Sequence, residues 1–356
     1  MEPIIAPISV DVLKAELTPA KKLRNTNKSN NEIYVINHHD SPNVMKEIGR
    51  LREEAFRNSG GGSGLSMDID EFDTMENPYQ QLIVWDPEAE KILGGYRYIL
   101  GRDIKLDEKG QPLLATAHMF HFSKKFVKKY LPYTIELGRS FVTPEYQSSK
   151  AGAKALYALD NLWDGLGALA IEYPNMKYFF GKMTMYPEYN RQARDLIQFF
   201  LMKHFGDKKN LVKPFEPLKI ETPVSYMESI LTEDGFKEDY KLLNGEVRRL
   251  GVNIPPLVNS YMSLSPTMKV FGGGINHEFS EAEETCIMIS FDEIYDSKVD
   301  RHINSFFKEK VEKIRMRFPQ FFDDMGENLT GMIANKRKQI QSKIADRDSN
   351  RKKKKK

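Results

Sequence analysis

Residues 134–142 read Thr-Ile-Glu-Leu-Gly-Arg-Ser-Phe-Val. The β-branched and aromatic content makes this run a strand. It nevertheless carries an acid and a guanidinium, Glu136 and Arg139, in an otherwise apolar run where ionised groups need partners or a task. In a regular strand, residues three apart point to opposite faces. Gly138 lies between them, and a glycine inside a strand often marks a bulge, in which one extra residue turns both side chains toward one side. The same spacing also fits an ordinary strand end, with Glu136 in solvent and Arg139 paired elsewhere.

The flanking sequence supplies a sheet. Upstream, QLIVWD (81–86) and ILGGYRYIL (92–100) are separated by Pro87, Glu88, Ala89 and Glu90 and read as an antiparallel pair with a short turn. Before them come a short strand (IYVIN), a helix after Ser41-Pro42 (NVMKEIGRLREEAF), and a flexible break at Gly60, Gly61, Gly62 and Gly64. Downstream, Ala155, Leu159, Leu162, Trp163 and Leu166 recur at helical spacing, so that helix buries one face against the sheet. MKYFFGKMTM follows as a strand and YNRQARDLIQFFLMKHF as a helix. Strands alternating with helices predict an α/β (α+β) layer, and the hairpin makes its sheet mixed rather than purely parallel. Further on, PPLVNSYMSL reads as a helix, Gly272 to Gly274 as a turn, and TCIMISF as a strand. The organisation expected is a loosely packed leader over residues 1–30, a globular domain over 31–295, and a basic helical extension with a polybasic tail over 296–356.

Composition bounds the class. With 356 residues, 40% hydrophobic, 11% aromatic and 29% charged, the chain can bury a large core under a wet surface. A single cysteine, Cys286, leaves no disulfide framework and fits a reducing compartment. No apolar run approaches the ~20 residues of a membrane span, and the opening MEPIIAPISVDVLKAE lacks the features of a secretory signal. A cytoplasmic protein is expected. The net charge of +3 is uneven: from Lys336 to Lys356 eleven basic residues stand against Asp346 and Asp348, leaving the rest at −6. Such a tail is a solvated end or an arm for an anionic leaflet on the inner face of a membrane. It is weak support for nucleic acid, which is not expected as a partner.

Several chemistries are disfavoured. His38-His39 and the pair His118 and His121 lack accompanying cysteines or an HExxH pattern, so no metal is expected. Cys286 sits in a buried strand pattern and no GxSxG elbow exists. The glycine clusters match neither a Walker loop nor GxGxxG, which removes most nucleotide-driven chemistry. The acidic cluster Asp68, Asp70, Glu71 and Asp73 lacks the glycine and terminal glutamate of an EF-hand. Carboxylates this close need a cation, an amine or arginines among them, and Arg52 and Arg97 are the candidate arginines.

Taken in order, Arg52 and Phe56 in RLREEAF, Asp70 and Asp73 in DEFD, Arg97 in GGYRYI, and Glu136 with Arg139 in ELGR resemble the acyl-homoserine lactone synthases. They resemble still more the hemolysin-like N-acyltransferases that make ornithine and glycine lipids. The likeness continues through NIPPLVNSYMSL and INHEFSEAEETCIMI and covers roughly Ile33 to Phe291.

That resemblance implies a GNAT-like fold, a mixed twisted sheet flanked by helices whose central strands splay so that a phosphopantetheine arm lies in the gap. It implies N-acyl transfer, with a long, 3-hydroxylated acyl chain passing to the amino group of glycine, or next of ornithine, as the first step of aminolipid synthesis. In acetyl-CoA members of the superfamily a Q/RxxGxG/A turn holds the pyrophosphate. Here Gln147 to Gly152 is one residue too long, which favours an acyl carrier protein as donor, with Lys124, Lys125, Lys128 and Lys129 as a docking strip. No resident cofactor is expected beyond the donor's arm. Glu136 would orient or deprotonate the amine, backbone N–H groups near Gly138 would stabilise the oxyanion, and Arg139, Asp70, Asp73, Arg52 and Arg97 would fix the loop over the site. Phe120, Phe122, Phe126 and Tyr130, with Phe179 and Phe180, would line an acyl tunnel or simply form core. The rivals are an S-adenosylmethionine-using lactone synthase, which is disfavoured by the chain's length, and a non-enzymatic haemolysin. The latter is disfavoured by a tail too basic and too poor in apolar residues to insert.

Overall fold

The hairpin expected at residues 81–100 forms as β3 (Gln80–Asp86) and β4 (Lys91–Leu100) in a computed structural model that describes residues 1–147 and 153–317. The other strands are β1 (Lys22–Asn25), β2 (Glu32–Ile36), β5 (Phe120–Phe122), β6 (Thr134–Val142), β7 (Tyr178–Met185), β8 (Val212–Pro214), β9 (Lys269–Asn276) and β10 (Ala282–Ser290). Eight of the strands form one sheet in the order β1-β2-β3-β4-β6-β7-β10-β9, and β5 pairs with β8 apart from it. Every neighbouring pair in the large sheet is antiparallel except β6 with β7. Helices α1 (Val10–Glu16), α2 (Pro42–Asn58), α3 (Glu71–Thr74), α4 (Lys124–Lys129), α5 (Ala153–Glu172), α6 (Arg191–Phe205), α7 (Val224–Ile230), α8 (Phe236–Arg249) and α9 (Pro256–Met262) complete this part. The fold is the mixed α/β arrangement expected, and its sheet is mostly antiparallel.

The parallel pair needs a crossover, and α5 supplies it. Its Leu162, Leu166 and Leu169 are buried with Leu82, Tyr96, Tyr98 and Leu137 on one face of the sheet. On the other face α2 buries Val44, Ile48, Leu51 and Ala55 against Ile83, Trp85 and Phe141. Their spacing of three and four residues gives α2 its apolar stripe, and Pro42 starts it.

The first 30 residues are not the loose leader expected. β1 pairs with β2 at the sheet edge, and Leu13 and Leu17 are buried in the α2 cluster. The physical reason is a cap: the Glu16 carboxylate accepts from the backbone N–H of Asn43 at 3.0 Å and Val44 at 2.8 Å, filling the start of α2. A second difference concerns Gly272 to Gly274, which lie inside β9 rather than in a turn. A Cβ on Gly273 would stand 2.5 Å from Leu218, so the missing side chain is what lets the segment after β8 cross this strand.

Residues 1–303 form one unit; a second begins at Asn304, past the expected boundary at 296, and contains the helix Asn304–Arg317. The polybasic tail lies outside the described residues, as does the Ser148 to Gly152 part of the turn weighed for coenzyme A. Among the described residues no helix is long and apolar enough to cross a membrane.

If residues 1–30 are part of the folded core, Leu13→Ala should lower the stability of the chain by about 2–4 kcal/mol in urea unfolding. A change under about 0.5 kcal/mol would return that segment to the status of a loose leader.

Candidate functional site

The β6–β7 pairing is short. It runs through Thr134↔Tyr178, Ile135↔Phe179 and Glu136↔Phe180 and then stops, although both strands continue. A bulge accompanies the stop: Tyr96 of β4 faces both Arg139 and Ser140 of β6, and Arg139 takes a left-handed backbone with φ of 46°. The irregularity expected at Gly138 therefore falls one residue later. A Cβ at Gly138 would make only ordinary contact with Arg97, at 3.5 Å.

Where the strands part, a groove of about 810 Å³ opens. Its walls include Leu137 to Val142 of β6 and Phe179 to Met185 of β7. Phe56 of α2 reaches it from one face of the sheet and Leu159 and Leu162 of α5 from the other, so the gap leads through the sheet. The α5 side is apolar, with Met183, Leu257, Ile287 and Ile289 among its residues.

The opposite face is polar. Arg52, wholly buried, donates to Asp73 at 3.1 Å and to Gln81, whose amide donates to Asp73 at 2.9 Å. Arg97 donates to both Asp70 oxygens at 2.7 Å and to Asp73 at 3.1 Å, and lies over the Tyr79 ring. Arg139 approaches Asp68 at 3.0 Å and Asp70 at 3.4 Å, with its guanidinium 4.7 Å from the centre of the Phe279 ring. Phe279 packs edge-on against Phe56. Asp70 also starts α3, accepting from the backbone of Phe72 and Asp73. Burial works against an ionised Asp73, but Arg52 and Arg97 outweigh it and hold the carboxyl well below its usual range. For Asp68, burial wins over Arg139 and its carboxyl is pushed up.

Glu136 shares this face. It is 2% exposed; Oε1 accepts from the Thr116 hydroxyl at 2.6 Å, the Tyr79 hydroxyl lies beside the carboxyl and favours its charged form, and Oε2 is buried without a regular hydrogen bond. Burial pushes its carboxyl up, and the Thr116 hydroxyl, Arg97, the Tyr79 hydroxyl and Lys182 only partly offset this. Glu136 and Arg139 lie on the same side but are not paired with each other: one bonds Thr116, the other meets the aspartates. A carboxylate so placed takes up a proton more readily than one in water.

The remaining expected residues divide. Phe179 and Phe180 line the groove. Phe120, Phe122 and Phe126 do not; they are fully buried in an aromatic cluster where Phe122 and Phe126 lie 5.3 Å apart, and β5 with α4 encloses them as core. Lys124, Lys125, Lys128 and Lys129 are all exposed on α4. The thiol of Cys286 is buried and its pKa raised by that burial, which removes it as a nucleophile. Among the described residues no three metal-binding side chains cluster.

Sequence reasoning missed a second charged group on this face. Lys182 of β7 pairs with Glu284 of β10, and both line the groove. Glu284 also accepts from Thr184 at 3.3 Å and Asn276 at 3.0 Å, and His118 meets Asn276 at 3.2 Å. A charge inside each of two strand runs was the available signal, the same one that singled out Glu136.

The acetyltransferase (GNAT) domain family matches residues 51–157. A glycine N(alpha)-acyltransferase of Phocaeicola vulgatus is 66% identical over 316 residues, covering 89% of this chain and 97% of that protein. A protein of the same name from Bacteroides thetaiotaomicron is 64% identical over 316 residues, covering 89% of this chain and 94% of that one. Among solved structures, a CoA-dependent acyl-homoserine lactone synthase, BjaI, with SAM and isopentyl-CoA, aligns with a TM-score of 0.33 and 10% identity. That alignment covers 76% of this chain and 86% of the other, and the likeness is too distant to build on.

The ion lattice makes a pH prediction. Asp73 has a depressed carboxyl in the folded chain against about 3.9 unfolded, so its contribution is full above that value and fades as pH falls through the folded one. Asp73→Asn, which strands Arg52, should cost about 3–5 kcal/mol at pH 7 in chemical unfolding, and the gap to wild type should shrink below about pH 4. An equal gap at both pH values would refute the electrostatic account.

Proposed function

Because the chain belongs to the GNAT N-acyltransferase family that holds these two relatives, and is itself an acyltransferase, we propose that it acylates the α-amino group of glycine with a fatty chain. The donor is an acyl carrier protein thioester, ornithine is the second choice of acceptor, and the product is the first intermediate of an aminolipid. The single observation that carries this reading is the groove where β6 and β7 part, apolar on one side and bounded on the other by the polar face that holds Glu136.

The donor's pantetheine arm, extended and rich in amides, suits a gap between two strand edges that no longer pair with each other. The acyl chain then occupies the apolar side between α5 and α9, where Leu162, Met183, Leu257 and Ile287 offer no polar competitor. The exposed lysines of α4 provide a basic strip for an acidic carrier. The polybasic tail suits an anionic leaflet, which would keep a cytoplasmic enzyme beside the membrane that receives its product.

In the reaction, the glycine ammonium loses a proton to the Glu136 carboxylate, directly or through a water. The amine attacks the thioester carbonyl, a C–N bond forms, the C–S bond breaks, and the thiol leaves with a proton. The balance is thioester plus glycine giving N-acylglycine and free thiol, with one proton released. Backbone N–H groups at the Arg139 bulge, whose residues line the groove wall, receive the oxyanion. The lattice around Asp70 and Asp73 holds that bulge in place.

Purified protein given 3-hydroxyacyl carrier protein and glycine should yield N-acylglycine by mass spectrometry, with ornithine a poorer acceptor; no acylated amino acid from either would end the proposal. Glu136→Gln should lower kcat about 10²- to 10⁴-fold with an unchanged melting profile. The wild-type rate should rise with pH through the raised carboxyl pKa of Glu136, and that limb should vanish in the variant.

A further inference from the structure

Lys182 and Glu284 are charged groups inside two central strands, 15% and 6% exposed. An apolar pair of similar volume at such a place is often neutral or stabilising, so stability does not account for an ionic one. Their surroundings are built. Asn276 and Thr184 donate to the two oxygens of Glu284, and Asn276 is itself met by His118. Lys182 is less saturated. Its ammonium has three donors, and among the described residues its partners are Glu284 and, at 3.7 Å, the sulfur of Met119. One strong donor is left, on a residue that lines the groove.

Position gives that donor a use. Glu136 sits opposite Phe180 in the parallel pair, and Lys182 lies two residues farther along the same face. Neighbouring strands about 4.8 Å apart and a rise of about 3.3 Å per residue put the two backbone positions roughly 8 Å apart on the diagonal. The two side chains therefore rise from neighbouring strands on one face, a carboxyl that can take a proton and an ammonium with a donor to spare.

We infer that Lys182 binds the carboxylate of the amino-acid acceptor, while Glu284, Asn276 and His118 act as positioning residues that hold the lysine in place. The inference rests on the acyltransfer reading above and deepens it by naming how an amino acid is told from a plain amine. The acceptor's carboxylate meets Lys182, which turns its amine toward Glu136 and the thioester. Glu284 stays ionised: burial raises its carboxyl, but Lys182 more than reverses this, so the lysine keeps its partner and its charge.

The test compares glycine with glycinamide, which keeps the amine and lacks the carboxylate, using the same acyl carrier protein donor. Wild type should prefer glycine. In Lys182→Met the ratio of kcat/KM for glycine over glycinamide should fall about 10- to 100-fold, carried by the KM for glycine, while the KM for the donor stays put. Lys182→Arg, which keeps a cation, should restore part of the preference. The double variant Lys182→Met with Glu284→Leu strands no charge and should show the same collapse of the ratio, which separates recognition from misfolding. Equal losses with both amines would make the pair a structural support and overturn the inference. An active wild type whose variants keep the glycine preference would overturn it as well, leaving the acyltransfer reading intact. A wild type that acylates neither amine would overturn both.

Discussion

Three guanidinium groups and three carboxylates meet on one face of the sheet, and the shape of the site depends on their neutrality. Arg52, Arg97 and Arg139 come from a helix and two adjacent strands, while Asp68, Asp70 and Asp73 come from one short stretch of chain. Each ion is largely removed from water, so none is tolerable without the others. The arrangement therefore behaves as one unit that ties the segment before α3 to β4 and β6. Asp70 links the ends of the unit, because it caps α3, accepts from Arg97 on both of its oxygens, and meets Arg139. The lattice has its own gradient. Asp73, between two guanidiniums, stays charged, whereas Asp68 has burial working against it.

That lattice explains how a strand can afford its bulge. Arg139 sits in a left-handed conformation that costs a side-chain-bearing residue of order 1 kcal/mol or more. Its guanidinium is held by Asp68, Asp70 and the Phe279 ring, which offset that cost. The parallel ladder between β6 and β7 ends at Glu136, three residues before this bend. The groove is lined by this strained, charge-held segment, and its two sides inherit the chemistry of the two sheet faces.

Much of this was legible from residue order. Strand runs, the α5 crossover and the set Arg52, Asp70, Asp73, Arg97 and Arg139 announce themselves because charges inside apolar runs need partners. The parts that were not legible have physical reasons. Glu16 caps a helix that starts at Pro42, and nothing local to residues 1–30 reveals that distant N-terminus. Phe120 and Phe122 alternate as a tunnel lining would, but the ring cluster that fills their side comes from α4 and β7. The triglycine looked like a turn because glycine permits one; it serves instead as a flat surface for a crossing chain. Lys182 and Glu284 carried the same signal as Glu136, yet their pairing depends on the register of β7 with β10, which no single run encodes.

The two buried glutamates then show how one sheet face divides labour. Glu136 and Glu284 are both nearly excluded from water, and desolvation alone would push both carboxyls upward. Glu284 has an ammonium in direct contact and goes the other way, so it is committed to its charge. Glu136 has hydroxyl neighbours but no cation in direct contact, so burial wins and its proton affinity is raised. A fixed anion steadies a cation that can hold a substrate; an anion with raised proton affinity can accept a proton. The distinction arises from one lysine placed two residues beyond the last paired position of β7, where the strands part and Lys182 and Glu284 line the groove while Glu136 stays buried next to its wall residue Leu137.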